Sequence, residues 1–349
     1  MNLFATVLTY PAPSANYRGE SDLNRTVIQK VNDGRFDYPI VSPEAMRNAL
    51  REVLAGYDLP MNRERVEPRA GEGEKPQLMV RFTEYPNPQE YADDFFFGYL
   101  LAVKGKQLEK LRKERGAEFP LKRDSVLRMN LAKSLEPYRY STVFTQSPKL
   151  AKDNPWQAGE KDGGTQSALL HRETVVTAFQ YPFALNLNDC CCTTDGCDHQ
   201  DPELDGEAAH VVNDLHKKRE LCRQRWTRKL LQGLGELNGV AGNHARSYYE
   251  FAPASIVVRL TDSLVAGYET YGFKPKTNGK AGEYGFPELI DGFRVQPEPD
   301  YPPDEFYLGG RIVREMDEAT RAELTNLGVT LDRIPQRLLA TVAQKALGE

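Results

Sequence analysis

The order of the apolar segments constrains this chain more than any single motif. With the polar, Gly- and Pro-rich stretches set aside, the remainder reads strand, helix, strand, long hairpin, strand, helix, strand. Period-two and 3.6-residue patterning separates these segments, because side chains leave a strand and a helix at different intervals. A βαββαβ order predicts an α+β fold with a ferredoxin-like or RRM topology. The open sheet of that topology is a common RNA platform.

The N-terminal half supplies clear punctuation. Residues 2–9 read as the first strand, with no basic segment ahead of an apolar run, so they are not a signal peptide. Residues 10–41 form a long connection carrying Asn16, Arg18, Asn24, Arg25, Lys30 and Arg35. A connection of that length is usually functional. A helix then begins at Ser42-Pro43-Glu44: Ser42 caps it, Pro43 suits its first position, and Glu44 complements the positive end of its dipole. Met46, Leu50, Val53 and Leu54 form its buried stripe, and Arg47 and Arg51 share another face with Asn48 between them. Ordinary surface charge accounts for the two arginines as well as phosphate binding at the helix start does.

Residues 62–78 read as a flexible polar loop. Residues 88–116 read as helices containing the core cluster Phe95, Phe96 and Phe97, followed by Lys122, Arg123 and Arg128. From Lys104 to Arg139, eleven Lys and Arg stand against five Asp and Glu, although the whole chain carries a net charge of -5. Such a run is most simply a solvated helical face, and the negative total argues against indiscriminate nucleic-acid binding. Strand-like sequence at 138–145 and 173–187 brackets a projection from Gln146 through Trp156 to Leu169, Leu170, His171 and Arg172, the pattern of an extended hairpin.

Near the C-terminal side, an amphipathic run at 226–237 leads into Gly239-Val240-Ala241-Gly242-Asn243-His244-Ala245-Arg246-Ser247, then the strand 255–260. Glycines admit a ligand to the backbone, whose N–H groups hold anions, and Asn243, His244 and Arg246 add donors. Residues 267–310 are loop-rich, and a helical segment closes the chain at about 318–347. Cysteines at 190, 191, 192, 197 and 222, with His199, form no disulfide framework and no standard metal-ligand spacing. A polar insertion that happens to carry thiols is the first reading and a zinc-dependent interaction module over 190–222 the alternative; no metal is assigned. No apolar run spans a membrane, which points to a cytoplasmic protein.

Several long segments, in order, resemble one family. They are Asn16-Tyr17-Arg18-Gly19-Glu20; Gly34-Arg35-Phe36-Asp37-Tyr38 with Val41 to Arg51; Asp93-Asp94-Phe95-Phe96-Phe97-Gly98-Tyr99; Lys122-Arg123-Asp124-Ser125; Thr142 to Pro148; Ala178 to Phe183; and Leu237 to Ser247. The chain resembles the RAMP superfamily of CRISPR-associated proteins, specifically the DevR/Cst-type backbone subunit of type I Cascade (CRISPR-associated protein family seven, type I-B-like).

That resemblance implies a non-catalytic subunit with no cofactor, which polymerises along CRISPR RNA and presents the guide for pairing with target DNA. Its implied partners are the guide, further copies of itself in a helical filament, and guide-processing, large, small and capping subunits. It implies an RRM-like palm (1–84 with 136–349), a helical fingers insertion (85–135) and a thumb hairpin (146–172) flanked by Phe144. The Cys/His insertion (189–222) belongs to the palm span and has no assigned role. The implied RNA contacts are Asn16, Arg18, Arg25, Ser42, Arg47, Asn48, Arg51, Lys122, Arg123, Arg128, Gly242, Asn243, His244, Arg246 and Ser247. Glu44 stands where many relatives carry Gln, and a carboxylate cannot donate to phosphate. The alternative is a RAMP-type ribonuclease acting on CRISPR RNA or target RNA, with His244, Asp33 or Asp37 as its base; one histidine in a loop does not make that site.

Overall fold

The first strand, Asn2–Thr9, lies inside a nine-stranded sheet, paired on one side with Phe179–Asn186 and on the other with Pro253–Thr261. The computed structural model describes residues 1–14, 17–22, 25–66, 79–115, 121–146, 169–191, 223–240, 250–276 and 283–347. Across the sheet the order is Thr330–Asp332, Phe306–Gly310, Pro253–Thr261, Asn2–Thr9, Phe179–Asn186, Ala132–Ser134, Asp37–Val41 and Lys30–Asn32. Leu127–Met129 also pairs with Phe179–Asn186. Neighbours are antiparallel except Phe306–Gly310 with Thr330–Asp332, so the sheet is mixed.

Alternation sorts the side chains between two cores. Leu3, Ala5 and Val7 point with Tyr181, Phe183, Ile256 and Val258 into the larger one. Three helices cover that face: Pro43–Ala55, residues 223–235 and Pro335–Leu347. The first two approach closely at Gly233, where an added Cβ would lie 3.2 Å from side-chain carbons of both Leu50 and Leu54.

The expectation of an open sheet is corrected by the opposite face. Leu8 and Val257 pack there with Phe273, Phe286, Leu289, Phe293 and Ile312. Thr6 donates to the Thr270 carbonyl at 2.9 Å, and Gln180 exchanges hydrogen bonds with the Phe273 backbone. The region read as loop-rich therefore supplies a second core, because its spaced aromatics need no helical or strand period to converge on a sheet.

Two further expectations change. The connection 10–41 contains five short strands, and residues 62–78 begin within a hairpin formed by Arg63–Val66 and Met79–Phe82. Short strands with charged outward positions lack the apolar alternation by which a strand is recognised. The terminal helical segment is two helices, Glu318–Leu327 and Pro335–Leu347, with a strand between them. No helix among the described residues is long and apolar enough to cross a membrane.

Away from the main sheet, Thr142–Gln146 pairs antiparallel with Leu169–Glu173, the base of the expected hairpin. That hairpin is half of a four-stranded sheet. Arg25–Ile28 joins it in parallel, and Tyr17–Asp22 adds the last strand. Glu173 locks the junction: its buried carboxylate accepts from Lys30 Nζ at 2.8 Å and from the Ile28 N–H at 3.2 Å.

Candidate nucleic-acid interface

The helix Pro43–Ala55 starts as its sequence dictates. Ser42 Oγ accepts the Ala45 N–H at 3.2 Å, which leaves the hydroxyl hydrogen for another acceptor. Met46, Ala49, Leu50 and Leu54 enter the core, while Val53 is only half-buried. This fixes Arg47, Asn48 and Arg51 along the helix flank. Both arginines are half-buried, and the Nε of each is buried with no hydrogen-bond acceptor.

Two other elements meet that flank. The short helix Ala92–Phe97 sets the Phe97 ring centroid 4.4 Å from the Arg51 guanidinium. The hairpin beginning at Arg63 supplies a third arginine, whose Nη2 donates to the Gly98 carbonyl at 2.7 Å and whose guanidinium lies 4.9 Å from the Phe82 ring centroid. Arg63 Nε is likewise buried without an acceptor. Asn48, Arg51, Glu52, Ala55, Met61, Arg63 and Glu64 line a cleft of about 360 Å³.

The nearest carboxylates are committed elsewhere. Asp93 accepts the backbone N–H groups of Asn62 (2.8 Å) and Arg63 (3.0 Å). Asp94 accepts from Asn62 Nδ2 (2.7 Å) and the Asn87 N–H (3.0 Å). Burial raises the Asp94 carboxyl above its ordinary range, with Asp93 adding to the rise. Glu64, on the cleft rim, is held by Arg81. Arg51 therefore has positive neighbours and, among the described residues, no ion-pair partner. Burial, then the charges of Arg63 and Arg47, draw its affinity for a proton down to about 10, partly offset by Asp93 and Asp94. At neutral pH it remains a cation.

Gly98 closes the aromatic helix and brings a further basic strand alongside. Its φ is +63°, and a Cβ there would lie 2.2 Å from the Arg123 carbonyl. Tyr99–Leu100 then pairs with Lys122–Arg123. The guanidinium groups of Arg123 and Arg223 lie 5.6 Å and 5.0 Å from the Phe95 ring centroid. Arginines from four separate segments thus collect around one aromatic helix. That arrangement can hold a polyanion on its exposed rim and stack planar groups.

No family model matches the chain. A protein of Myxococcus xanthus (strain DK1622) named CRISPR-associated protein Cas7/Cst2/DevR is 27% identical over 325 residues, covering 93% of this chain and 91% of that one. The chain is similar to that Cas7/Cst2/DevR protein over nearly its whole length. Two solved chains share its fold, from "CRISPR RNA-guided surveillance complex, pre-nicking" (TM-score 0.56) and "CRISPR RNA-guided surveillance complex" (TM-score 0.55). Each is 12% identical, and the match covers 99% of this chain and 100% of the other.

The sequence-predicted residues do not all converge. Ser42, Arg47, Asn48 and Arg51 lie along one helix, and Lys122 and Arg123 sit beside Gly98. Arg128 is exposed between Leu127 and Met129, which point into the larger core, so it faces the other side of the sheet. Arg18 and Arg25 lie on strands of the hairpin sheet, with Gln146, Leu169 and Leu170. Phe144 and His171 are exposed there, with ring centroids 5.0 Å apart, and Arg172 is half-buried. Asn16, Trp156, Gly242, Asn243, His244, Arg246 and Ser247 lie outside the described residues. The ends of the glycine loop are held together by the Asn238–Glu250 bridge and by the Phe251 N–H donating to the Leu237 carbonyl.

Arg63 and Arg223 escaped the sequence reading. The available signal for Arg63 was the alternating Arg63-Glu64-Arg65-Val66 answered by Met79-Val80-Arg81-Phe82. Of the thiol cluster, Cys190 is fully buried in the larger core, and Cys192, Cys197, His199 and Cys222 lie outside the described residues. The candidate bases Asp33 and Asp37 serve a hairpin turn. Asp33 accepts the backbone N–H groups of Phe36 and Arg35, which hold its carboxyl below the usual range. Asp37 accepts from Asn32 Nδ2 at 2.8 Å.

Proposed function

We propose that this chain is a CRISPR RNA-binding backbone subunit of a type I, I-B-like Cascade complex. It polymerises along the guide and leaves guide bases open for pairing with target DNA. The observation that carries this reading is likeness over nearly the whole chain to the Cas7/Cst2/DevR protein, accompanied by the fold of surveillance-complex chains.

The central strands support an RRM-like palm. Pro253–Thr261, Asn2–Thr9, Phe179–Asn186 and Leu127–Met129 follow the spatial order of a βαββαβ unit, with Pro43–Ala55 and residues 223–235 as its two helices. The fingers are then the segment between the first palm helix and Leu127, shorter at its C-terminal end than 85–135. The thumb is the four-stranded sheet that includes the paired strands Thr142–Gln146 and Leu169–Glu173.

With both faces of the palm sheet covered, the guide backbone runs along the flank of Pro43–Ala55 instead of across the strands. Phosphates meet Arg47, Asn48 and Arg51, and Ser42 contributes its hydroxyl hydrogen. Other surfaces meet further copies and the remaining Cascade subunits. The subunit is non-catalytic in this reading, since Asp33 and Asp37 are engaged in a turn.

Co-expression with a CRISPR array and its neighbouring genes, followed by sequencing of copurified RNA, tests the proposal. Uniform guide-length RNA in a large multi-copy complex is expected. An RNA-free monomer refutes it.

A further inference from the structure

The cleft between Arg51 and Arg63 contains more than a generic basic surface needs. Two guanidinium groups from different elements share one cavity, and Asn48 adds an amide to its lining. The Nε atoms of Arg47, Arg51 and Arg63 are each buried without an acceptor among the described residues. A buried donor left unpaired is costly, and each such group in a native fold calls for an explanation. The fold holds these groups in place. Asp93 and Asp94 fix the Asn62–Arg63 backbone, Gly98 takes one Arg63 N–H, and Phe97 and Phe82 each lie under a guanidinium. The carboxylates that would ordinarily neutralise the pair instead bind backbone and amide donors.

We infer that this cleft is a discrete subsite for one phosphodiester of single-stranded RNA, with Arg63 as its closing residue. The inference rests on the RNA-binding reading and adds a single pinned phosphate per subunit. Guanidinium groups suit it, since each presents several N–H donors in a rigid plane to phosphate oxygens. The rim carboxylates Glu52 and Glu64 favour a singly charged diester over a doubly charged terminal phosphate. Arg81, by holding Glu64, keeps one of them from occupying the cleft.

The test uses the full chain and guide-length RNA carrying one neutral methylphosphonate linkage, moved position by position. In the wild type, one position per subunit footprint weakens binding about tenfold, the value of a charge-assisted hydrogen bond. In Arg63→Gln that position no longer matters, and the salt slope falls by about 0.7, the single-strand value for one phosphate contact. Arg63→Lys keeps the charge but loses the fork, and binds RNA more weakly than wild type. Arg333→Gln, an exposed charge loss on the chain's C-terminal segment, leaves both the position effect and the slope unchanged. Thermal melting shows whether each variant is folded. Equal loss at every neutral linkage, or a position effect that persists in folded Arg63→Gln and Arg63→Lys, overturns the subsite alone. Failure of the wild type to bind RNA overturns both the subsite and the function beneath it.

Discussion

Replacing Glu173 tests what joins the hairpin sheet to the rest of the molecule. Its side chain is 1% exposed and accepts from Lys30 Nζ and the Ile28 N–H. In Glu173→Ala the Ile28 donor loses its buried acceptor, which costs about 1–3 kcal/mol. Lys30 is 17% exposed and swings toward water, so its share is closer to the ~0.5–1 kcal/mol of an accessible pair. The expected loss is about 1.5–4 kcal/mol, from those two contributions. Glu173→Gln keeps an oxygen for Ile28 and loses about 1 kcal/mol. Lys30→Met is the most damaging, at about 3–5 kcal/mol, because it takes a cation from a buried carboxylate. Urea denaturation gives the ranking. Hydrogen exchange at Ile28 shows whether the hairpin sheet opens before the main one. If Lys30→Met is milder than Glu173→Gln, or Ile28 exchange is unchanged in Glu173→Ala, the junction is not held by this pair.

Three other outcomes follow from the same contacts. Arg51→Met is expected to stabilise the RNA-free chain by about 1–2 kcal/mol while weakening RNA binding. Its folded-state pKa is lowered, so its charge opposes folding at every pH below about 10, and that penalty fades only as pH climbs from there toward the ordinary guanidinium range. Denaturation at pH 7 with a parallel binding titration checks both halves, and lower stability with undiminished affinity contradicts them. Gly98→Ala is expected to cost about 3 kcal/mol or more, from a φ of +63° and a Cβ driven against the Arg123 carbonyl, measured as a fall in the denaturation midpoint. Phe144→Ala, at a site 55% exposed, should shift stability by no more than ~0.5 kcal/mol yet reduce assembly on guide RNA, read by sedimentation of the reconstituted complex.

The legible parts of the fold were those whose pattern is local. Asn2–Thr9 and Pro253–Thr261 carry enough apolar residues to be strands anywhere, and Ser42-Pro43-Glu44 announces a helix start before any partner is known. The first arm of the hairpin base, 142–146, overlaps the strand read at 138–145, but the second arm is 169–173, inside the segment read as projection, and not 173–187. Its neighbours were not legible. Arg25–Ile28 and Tyr17–Asp22 join the same sheet through backbone pairing, and backbone pairing leaves little mark on a polar sequence. The covered second face was hidden for a related reason. Phe273, Phe286, Phe293 and Phe306 are spread over many residues, and only the chain path brings them to one sheet.

The candidate site divides along the same line, with a functional consequence. Arg47 and Arg51 could be singled out from their spacing on one helix, but spacing cannot distinguish a solvated face from a buried one. Burial beneath Phe97 and Arg63 makes the difference. A solvated arginine gains little from a phosphate beyond released counterions. A guanidinium already desolvated, with cationic neighbours, gains a charge-assisted hydrogen bond through its Nη donors as well. The folded chain therefore bears the electrostatic cost before RNA arrives, and binding relieves it. That is why the same residue should weaken the free protein and strengthen the complex. It is also why removing Asp93, which pulls Arg51 toward its charged form and fixes the Arg63 backbone, should damage binding despite removing negative charge from the cleft's surroundings.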